Sequence, residues 1–234
     1  MYPVIRLPHT DVCNIVRREN RFVVRVLVRG SEERAYITNT GRLRELLISG
    51  KKGYCIRSTG VKTNYRLIAV EDNNLAALID TKIQEDTFKI LVRNNKISWL
   101  RNCVIVKRAP RLNKSVLDYL LECNGKTIYV EIKSAVMRYN RVYAMYPDCP
   151  SLRGRRHIRE LITHVENGGY GVIVFIAALP HIKYFKPNRN ADAVIATLLQ
   201  NAHKVGVLIK AINIVYDPES QHILLLNDDL PVIL

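Results

Sequence analysis

The sequence predicts an α/β (α+β) fold in two parts, with residues 1–80 forming a small OB-like β-barrel and residues 81–234 a mixed β-sheet flanked by helices. Three observations carry this prediction. Short strand-like runs punctuated by glycine and asparagine fill the first part. Near the middle, Asn124-Gly125 divides two β-branched and aromatic runs, the arrangement of a tight hairpin. Beyond it strand and helix patterns alternate, which calls for strands joined by helical crossovers.

In the first part, VCNIVRR, RFVVRVLV, RAYIT, GYCIRS, YRLIAVE and NLAAL are separated by Gly30-Ser31, Gly50 to Gly53, Gly60 and Asp72-Asn73-Asn74. One brief helix is expected between them, capped by Asn39 or Thr40, with Leu43, Leu46 and Leu47 inward. Five or six short strands and one small helix suit an OB-type barrel, which binds oligonucleotides across its sheet face. Arg21, Arg25 and Arg29 alternate outward and read either as a phosphate-tracking face or as an ordinary solvated strand.

The second part opens with a helix that Thr81 can cap and that points Ile83, Phe88, Ile90 and Leu91 to one side. Trp99 follows as a hinge or core anchor, then a strand from Cys103 to Lys107. If Cys123 and Lys126 close the Asn-Gly turn, pairing runs back through Tyr119 with Val130 to Asp118 opposite Glu131, and Lys133 shares their face. The other face carries Leu117, Tyr119, Leu121, Ile128, Val130 and Ile132, an apolar surface that must be covered. Two carboxylates with side-chain roots ~5 Å apart repel unless a cation or a proton intervenes. Oxygen ligands of this kind suit Mg²⁺ or Mn²⁺, with Asp118, Glu131 and the Ile132 carbonyl as the ligand set and Lys133 placed to orient an attacking water.

After the hairpin, Tyr143 to Pro150 reads as a loop, and a helix follows from the Ser151 N-cap to the Gly168-Gly169 stop. Its buried stripe is Ile158, Leu161, Ile162 and Val165. A second stripe carries Arg153, His157, Glu160 and His164, which project together toward water or toward a site. Strand Gly171 to Ala177, helix Ala191 to Lys204 and strand Val207 to Val215 complete the pattern. Lys183, Tyr184, Phe185 and Lys186 interleave basic and aromatic residues in a loop that either packs or touches nucleic acid.

Charge narrows the partner. Thirty-six basic and 21 acidic residues give +15, and the excess is +6 up to Asp80 and +9 after it, so both parts are basic. A polyanion such as DNA, or RNA, is the expected partner. The longest apolar run, Val172 to Leu179, is far too short to span a membrane, and the N-terminus lacks a signal-peptide pattern. Five cysteines without a C-x-x-C pair predict reduced thiols and a cytoplasmic location.

Asp118, Glu131 and Lys133 resemble the D…E-x-K core of the PD-(D/E)XK nuclease superfamily. KSVLDYLL, YVEIKS, AMYPDCPSLRGRRHIREL and the Asn39-Thr40-Gly41-Arg42 loop resemble the sugar fermentation stimulation (SfsA) family over nearly the whole chain. Leu-Asp-Tyr here replaces the family's Phe-Asp-Phe, and Cys149 its alanine, without loss of a ligand. The resemblance implies an OB-like barrel, a restriction-endonuclease-like second domain, DNA binding, and Mg²⁺- or Mn²⁺-dependent phosphodiester hydrolysis. It sets the Ser151 helix beside the hairpin, so Glu160 joins the catalytic candidates through a water-bridged role. Arg153, Arg155, Arg156 and His157 join Arg21, Arg25 and Arg42 as nucleic-acid contacts. A non-catalytic DNA-binding regulator of sugar (maltose) metabolism genes is the alternative.

Overall fold

The structure is a computed structural model describing residues 1–58, 60 and 62–234. Its first strands are β1 (Tyr2–Arg6), β2 (Asp11–Arg18), β3 (Val23–Val28), β4 (Ser31–Tyr36), β5 (Lys52–Arg57), β6 (Tyr65–Asp72) and β7 (Leu75–Leu78). β4, β3, β2, β5 and β6 are antiparallel neighbours in that order, and β4 also meets β6 in parallel, which closes a five-stranded OB-like barrel. Closure removes exposed strand edges and places Cys13, Ile15, Val24, Val26, Ala35, Cys55 and Leu67 inside, each almost fully buried.

The brief helix expected after Asn39 is instead a pair of turns. Leu43 adopts a left-handed φ of 51° and its N–H is taken by Asp148 at 3.1 Å, so no helical ladder can propagate through it, although Leu43 and Leu46 are buried as expected. Gly41 is required here, because a Cβ at this position would collide with the Asp148 carboxylate.

α1 (Thr81–Arg93) is capped by Asp80, one residue before the cap expected. Its Oδ1 accepts from Ile83 N at 2.9 Å, and Oδ2 lies 3.0 Å from Arg66 Nε. Then come β8 (Cys103–Arg108), β9 (Arg111–Leu112), β10 (Ser115–Val116), β11 (Tyr119–Cys123), β12 (Lys126–Ser134), β13 (Met137–Tyr139) and β14 (Tyr143–Tyr146). α2 (Leu152–Glu166), β15 (Tyr170–Ala177), β16 (Tyr184–Pro187), α3 (Ala193–Lys204), β17 (Leu208–Asp217) and β18 (His222–Asn227) complete the chain. Two segments expected as loops, Tyr143–Tyr146 and Tyr184–Pro187, are therefore strands, paired with β13 in a separate three-stranded sheet. β13 and β14 form a hairpin around Asn140 and Arg141, both at left-handed φ, whereas β16 joins β14 from about 40 residues further on, beyond the reach of any local signal.

The sheet is mixed, as expected. β8, β11 and β12 are antiparallel, while β12, β15 and β17 run parallel, joined by α2 and α3 as crossovers. The apolar face of the hairpin packs under α1, with the Phe88 and Tyr119 rings 6.0 Å apart. β7 pairs with β17, and β1 leaves the barrel sequence to pair with β18, so one continuous sheet runs through both parts. The Arg138–Asp72 ion pair and the Asn39–Ser134 hydrogen bond fasten the barrel to the second part.

The expectation of reduced thiols fails at one pair. Cys103 and Cys123 stand directly opposite one another on β8 and β11 with Cα atoms 4.2 Å apart and are joined in a disulfide, whereas Cys13, Cys55 and Cys149 are free. Sequence spacing hid this pair, because it depends on the pairing of β8 with β11. Reduction should lower the melting temperature, the crosslink enclosing a short loop worth about 2–4 kcal/mol. Thermal melts with and without reductant, alongside intact mass after alkylation, check this. No helix among the described residues is long and apolar enough to cross a membrane.

Candidate active site

The Asn-Gly hairpin has the expected register: Cys123 faces Lys126, Leu121 faces Ile128 and Tyr119 faces Val130. One step further, Asp118 N donates to Val130 O at 3.1 Å, and the Asp118 carboxylate turns back to accept from Ile132 N at 2.6 Å. Asp118 and Glu131 thus meet at the end of the hairpin, with Ile132 between them in hydrogen-bond contact with Asp118.

Their environments differ. Glu131 is 2 % exposed, and its Oε1 receives both the Lys133 ammonium and His157 Nδ1, the latter at 2.6 Å. Burial alone would raise this carboxyl, but Lys133 and His157 together hold it below its ordinary value. Asp118 lacks such a cation of its own. Burial first, and the Glu131 charge second, push it up to about 7, against the opposing effect of the Ile132 N–H and Lys133. Lys133 is held above its usual range despite burial, chiefly by Glu131. Glu131 Oε2 is buried without a hydrogen-bond partner. Such an acceptor beside a second carboxylate is costly by itself and suits a hard cation, so the donor set fits a divalent ion.

α2 determines which polar residues join the site. Ser151 Oγ accepts from Gly154 N at 3.0 Å and starts the helix. Gly154 has no room for a Cβ, which would fall 2.7 Å from the Tyr146 hydroxyl, so the helix can lie close against β14. The His157 and His164 stripe then faces β12, with His164 edge-on to Tyr129 at 4.9 Å.

This packing corrects several expectations. His157, expected to touch nucleic acid, is 1 % exposed and holds Glu131, because the helix presents this stripe to the sheet. Arg153 stays exposed while its Nε–H donates to His157 Nε2 at 3.3 Å from behind. Arg155 is paired with Asp192, the α3 N-cap, at 3.0–3.1 Å, so its charge is spent between helices. Glu160, expected near the metal, instead accepts from Asn113 at 2.8 Å, about one helical turn past His157. Arg25 is neutralised by Glu19 and, at 3.6 Å, by Glu32, while Arg29 pairs with Asp11 at 2.7 Å; two of the three arginines of the row are thus compensated on their own barrel. Arg21, Arg42 and Arg156 remain exposed, and Arg21 and Arg42 flank two adjoining cavities between the Asn39–Glu45 loop and the second part. The role of His157 had one sequence signal, its helical spacing to His164, but the strand beneath was not legible.

Two family models match this chain. Residues 16–79 match the SfsA N-terminal OB domain, and residues 82–220 match the sugar fermentation stimulation protein RE domain. The chain belongs to the SfsA family. A sugar fermentation stimulation protein homolog of Pyrococcus furiosus is 48% identical over 202 residues, covering 86% of this chain and 87% of the relative. An Archaeoglobus fulgidus homolog is 41% identical over 222 residues, 95% of each chain. The solved structure of Pyrococcus furiosus SfsA in complex with Ca²⁺ superimposes with a TM-score of 0.95 at 43% identity over 100% of both chains.

Proposed function

We propose that this SfsA-family protein is a divalent-cation-dependent phosphodiesterase that acts on DNA. The observation that carries the reading is the pair of unequal carboxylates at the hairpin end: Glu131 with one oxygen bound by Lys133 and His157 and the other buried and unsatisfied, facing an Asp118 that burial and repulsion disfavour as an anion. The Ca²⁺ complex of the Pyrococcus furiosus relative supports divalent binding in this family. Asp118, Glu131 and the Ile132 carbonyl would hold Mg²⁺ or Mn²⁺, which supplies Lewis-acid polarisation and charge neutralisation at phosphorus.

The protein's own residues do the rest. His157 fixes the Glu131 carboxylate in orientation, and Arg153 backs His157. Lys133 carries its ammonium into the same pocket, where a cation lowers the energy of charge that develops on the phosphoryl oxygens or orients the attacking water. Exposed Arg21, Arg42 and Arg156, with the +15 overall charge, attract the phosphate backbone.

Labelled single- and double-stranded DNA and RNA incubated with Mg²⁺, Mn²⁺ or EDTA provide the test. Metal-dependent products that vanish in EDTA, and a binding constant that falls steeply as salt rises, are expected. Salt-sensitive binding without hydrolysis on any substrate would replace the nuclease with a regulator that keeps the fold. Binding flat in salt would remove the electrostatic basis of the reading altogether.

A further inference from the structure

We propose that the small β13–β14–β16 sheet is a stacking platform for unpaired nucleobases, and that the cleft beside it leads single-stranded nucleic acid toward Lys133 and Glu131. The inference deepens the proposed function and rests on its nucleic-acid reading.

The platform follows from strand register. Tyr139 pairs with Tyr143, and Tyr143 with Tyr184, so three tyrosines lie in one row across three strands; their successive ring centroids are 6.2 and 5.3 Å apart. The next row on the same face is Met137, Met145 and Lys186. The opposite face carries Ala144 and Phe185, both fully buried, with Phe185 stacked on Phe175 at 3.9 Å. One face of the sheet is therefore core. The other is aromatic, sulfur-rich and cationic, with Met145 buried and Tyr139 exposed.

Met137, Tyr139 and Met145 of that second face form a wall of the cleft. A cavity of about 350 Å³ is lined by Tyr139, Met137 and Met145 on the sheet side, and by Leu43, Arg42 and Arg44 from the barrel loop across it. A second cavity of about 200 Å³ shares Met137, Met145 and Asp148 with the first and continues to Tyr146 and Ser151. The same cavity is lined by Ser134, the last residue of β12, so the inner end of the cleft reaches the end of the strand that carries Glu131 and Lys133.

The chemistry of the walls selects the occupant. Apolar and aromatic surface, with Arg21, Arg42 and Arg44 outnumbering the Glu45 and Asp148 carboxylates, matches a base face joined to a phosphate, the combination that binds single strands without reading sequence. Lys186 Nζ lies 3.7 Å from the Tyr139 ring centroid and 4.8 Å from that of Tyr143, which sets a positive charge among the rings, while Tyr139 remains 44 % exposed. A duplex offers its base faces to neighbouring bases and only edges to a protein, so it cannot use these rings.

Fluorescence anisotropy on the full chain in EDTA tests this without reference to cleavage. The probes are a short oligodeoxythymidine, its abasic counterpart and a duplex of equal length. Wild type should bind the base-bearing strand more tightly than the abasic one. Tyr139→Ala should weaken single-strand binding about 10-fold, as for loss of one stacked base, and leave the duplex unchanged, while Tyr139→Phe retains affinity. Equal losses on single strand, abasic strand and duplex would overturn the platform, as would wild-type indifference between base-bearing and abasic strands, a comparison that needs no variant. Duplex-only binding overturns this inference alone. Failure of all three probes to bind in a salt-dependent manner overturns the nucleic-acid reading with it.

Discussion

Asp118→Ala is expected to abolish both divalent-cation binding and cleavage, whereas Lys133→Ala should lose cleavage alone. Asp118 contributes one of the two candidate carboxylate ligands at the hairpin end, and the Ile132 N–H that now orients it would be left behind. Without the second carboxylate, Glu131 Oε2 has no partner in coordination. Lys133 is different. Its removal leaves both carboxylates in place and frees part of Glu131 Oε1, which His157 still holds at 2.6 Å. Calorimetry with Mn²⁺ should therefore detect binding to Lys133→Ala while turnover falls by roughly two orders of magnitude or more, as for one lost transition-state contact. If Lys133→Ala binds no metal, the lysine is a structural partner of Glu131 and its catalytic role is wrong.

The second large effect is on stability, and its sign differs between neighbours. Without metal, the carboxylate in conflict is Asp118, since Glu131 is compensated by Lys133 and His157. A carboxyl raised to about 7 keeps its proton longer in the native state than in the unfolded chain, so native stability falls as pH rises from about 4 to 7 and stays lower above that. Asp118→Asn cannot ionise and can still accept from Ile132 N. It should gain about 1–3 kcal/mol over wild type at pH 8 in EDTA, a rise of several degrees in melting temperature, and the gain should shrink toward pH 4. His157→Ala should do the reverse, losing about 2–4 kcal/mol, because it leaves a buried carboxylate short of a partner and opens a cavity under α2. Melting curves across this pH range decide both. An Asp118→Asn protein less stable than wild type at pH 8 would mean that the carboxylate is stabilising as an anion.

Much of the site was legible because it is local. The Asn124-Gly125 turn and the period-two alternation of β11 and β12 specify which residues oppose one another within 14 positions, and so brought Asp118, Glu131 and Lys133 together before any tertiary contact was known. The same holds for the start of α2, where Ser151 accepts from Gly154 N as its N-cap position predicts. Charge composition, likewise additive, pointed to a polyanionic partner.

Tertiary structure decided what those local elements meet. The stripe of His157 and His164 was visible from helical spacing, but whether it faced water, nucleic acid or Glu131 depended on the side of β12 that α2 covers. Arg25, Arg29 and Arg155 look alike in sequence to Arg21, Arg42 and Arg156. The first three have carboxylates beside them, Glu19, Asp11 and Asp192, and Arg25 and Arg155 are partly buried with theirs, whereas the last three are exposed. The Cys103–Cys123 bond arises from strand pairing, and the tyrosine row is completed only when β16 brings Tyr184 to the β13–β14 hairpin from more than 40 residues away. Periodicity and capping are properties of neighbouring residues along the chain, which is why the hairpin and the register that groups Asp118, Glu131 and Lys133 could be read from it; which charge is neutralised and which ring is exposed is a property of neighbours in space, and only the packed fold supplied those.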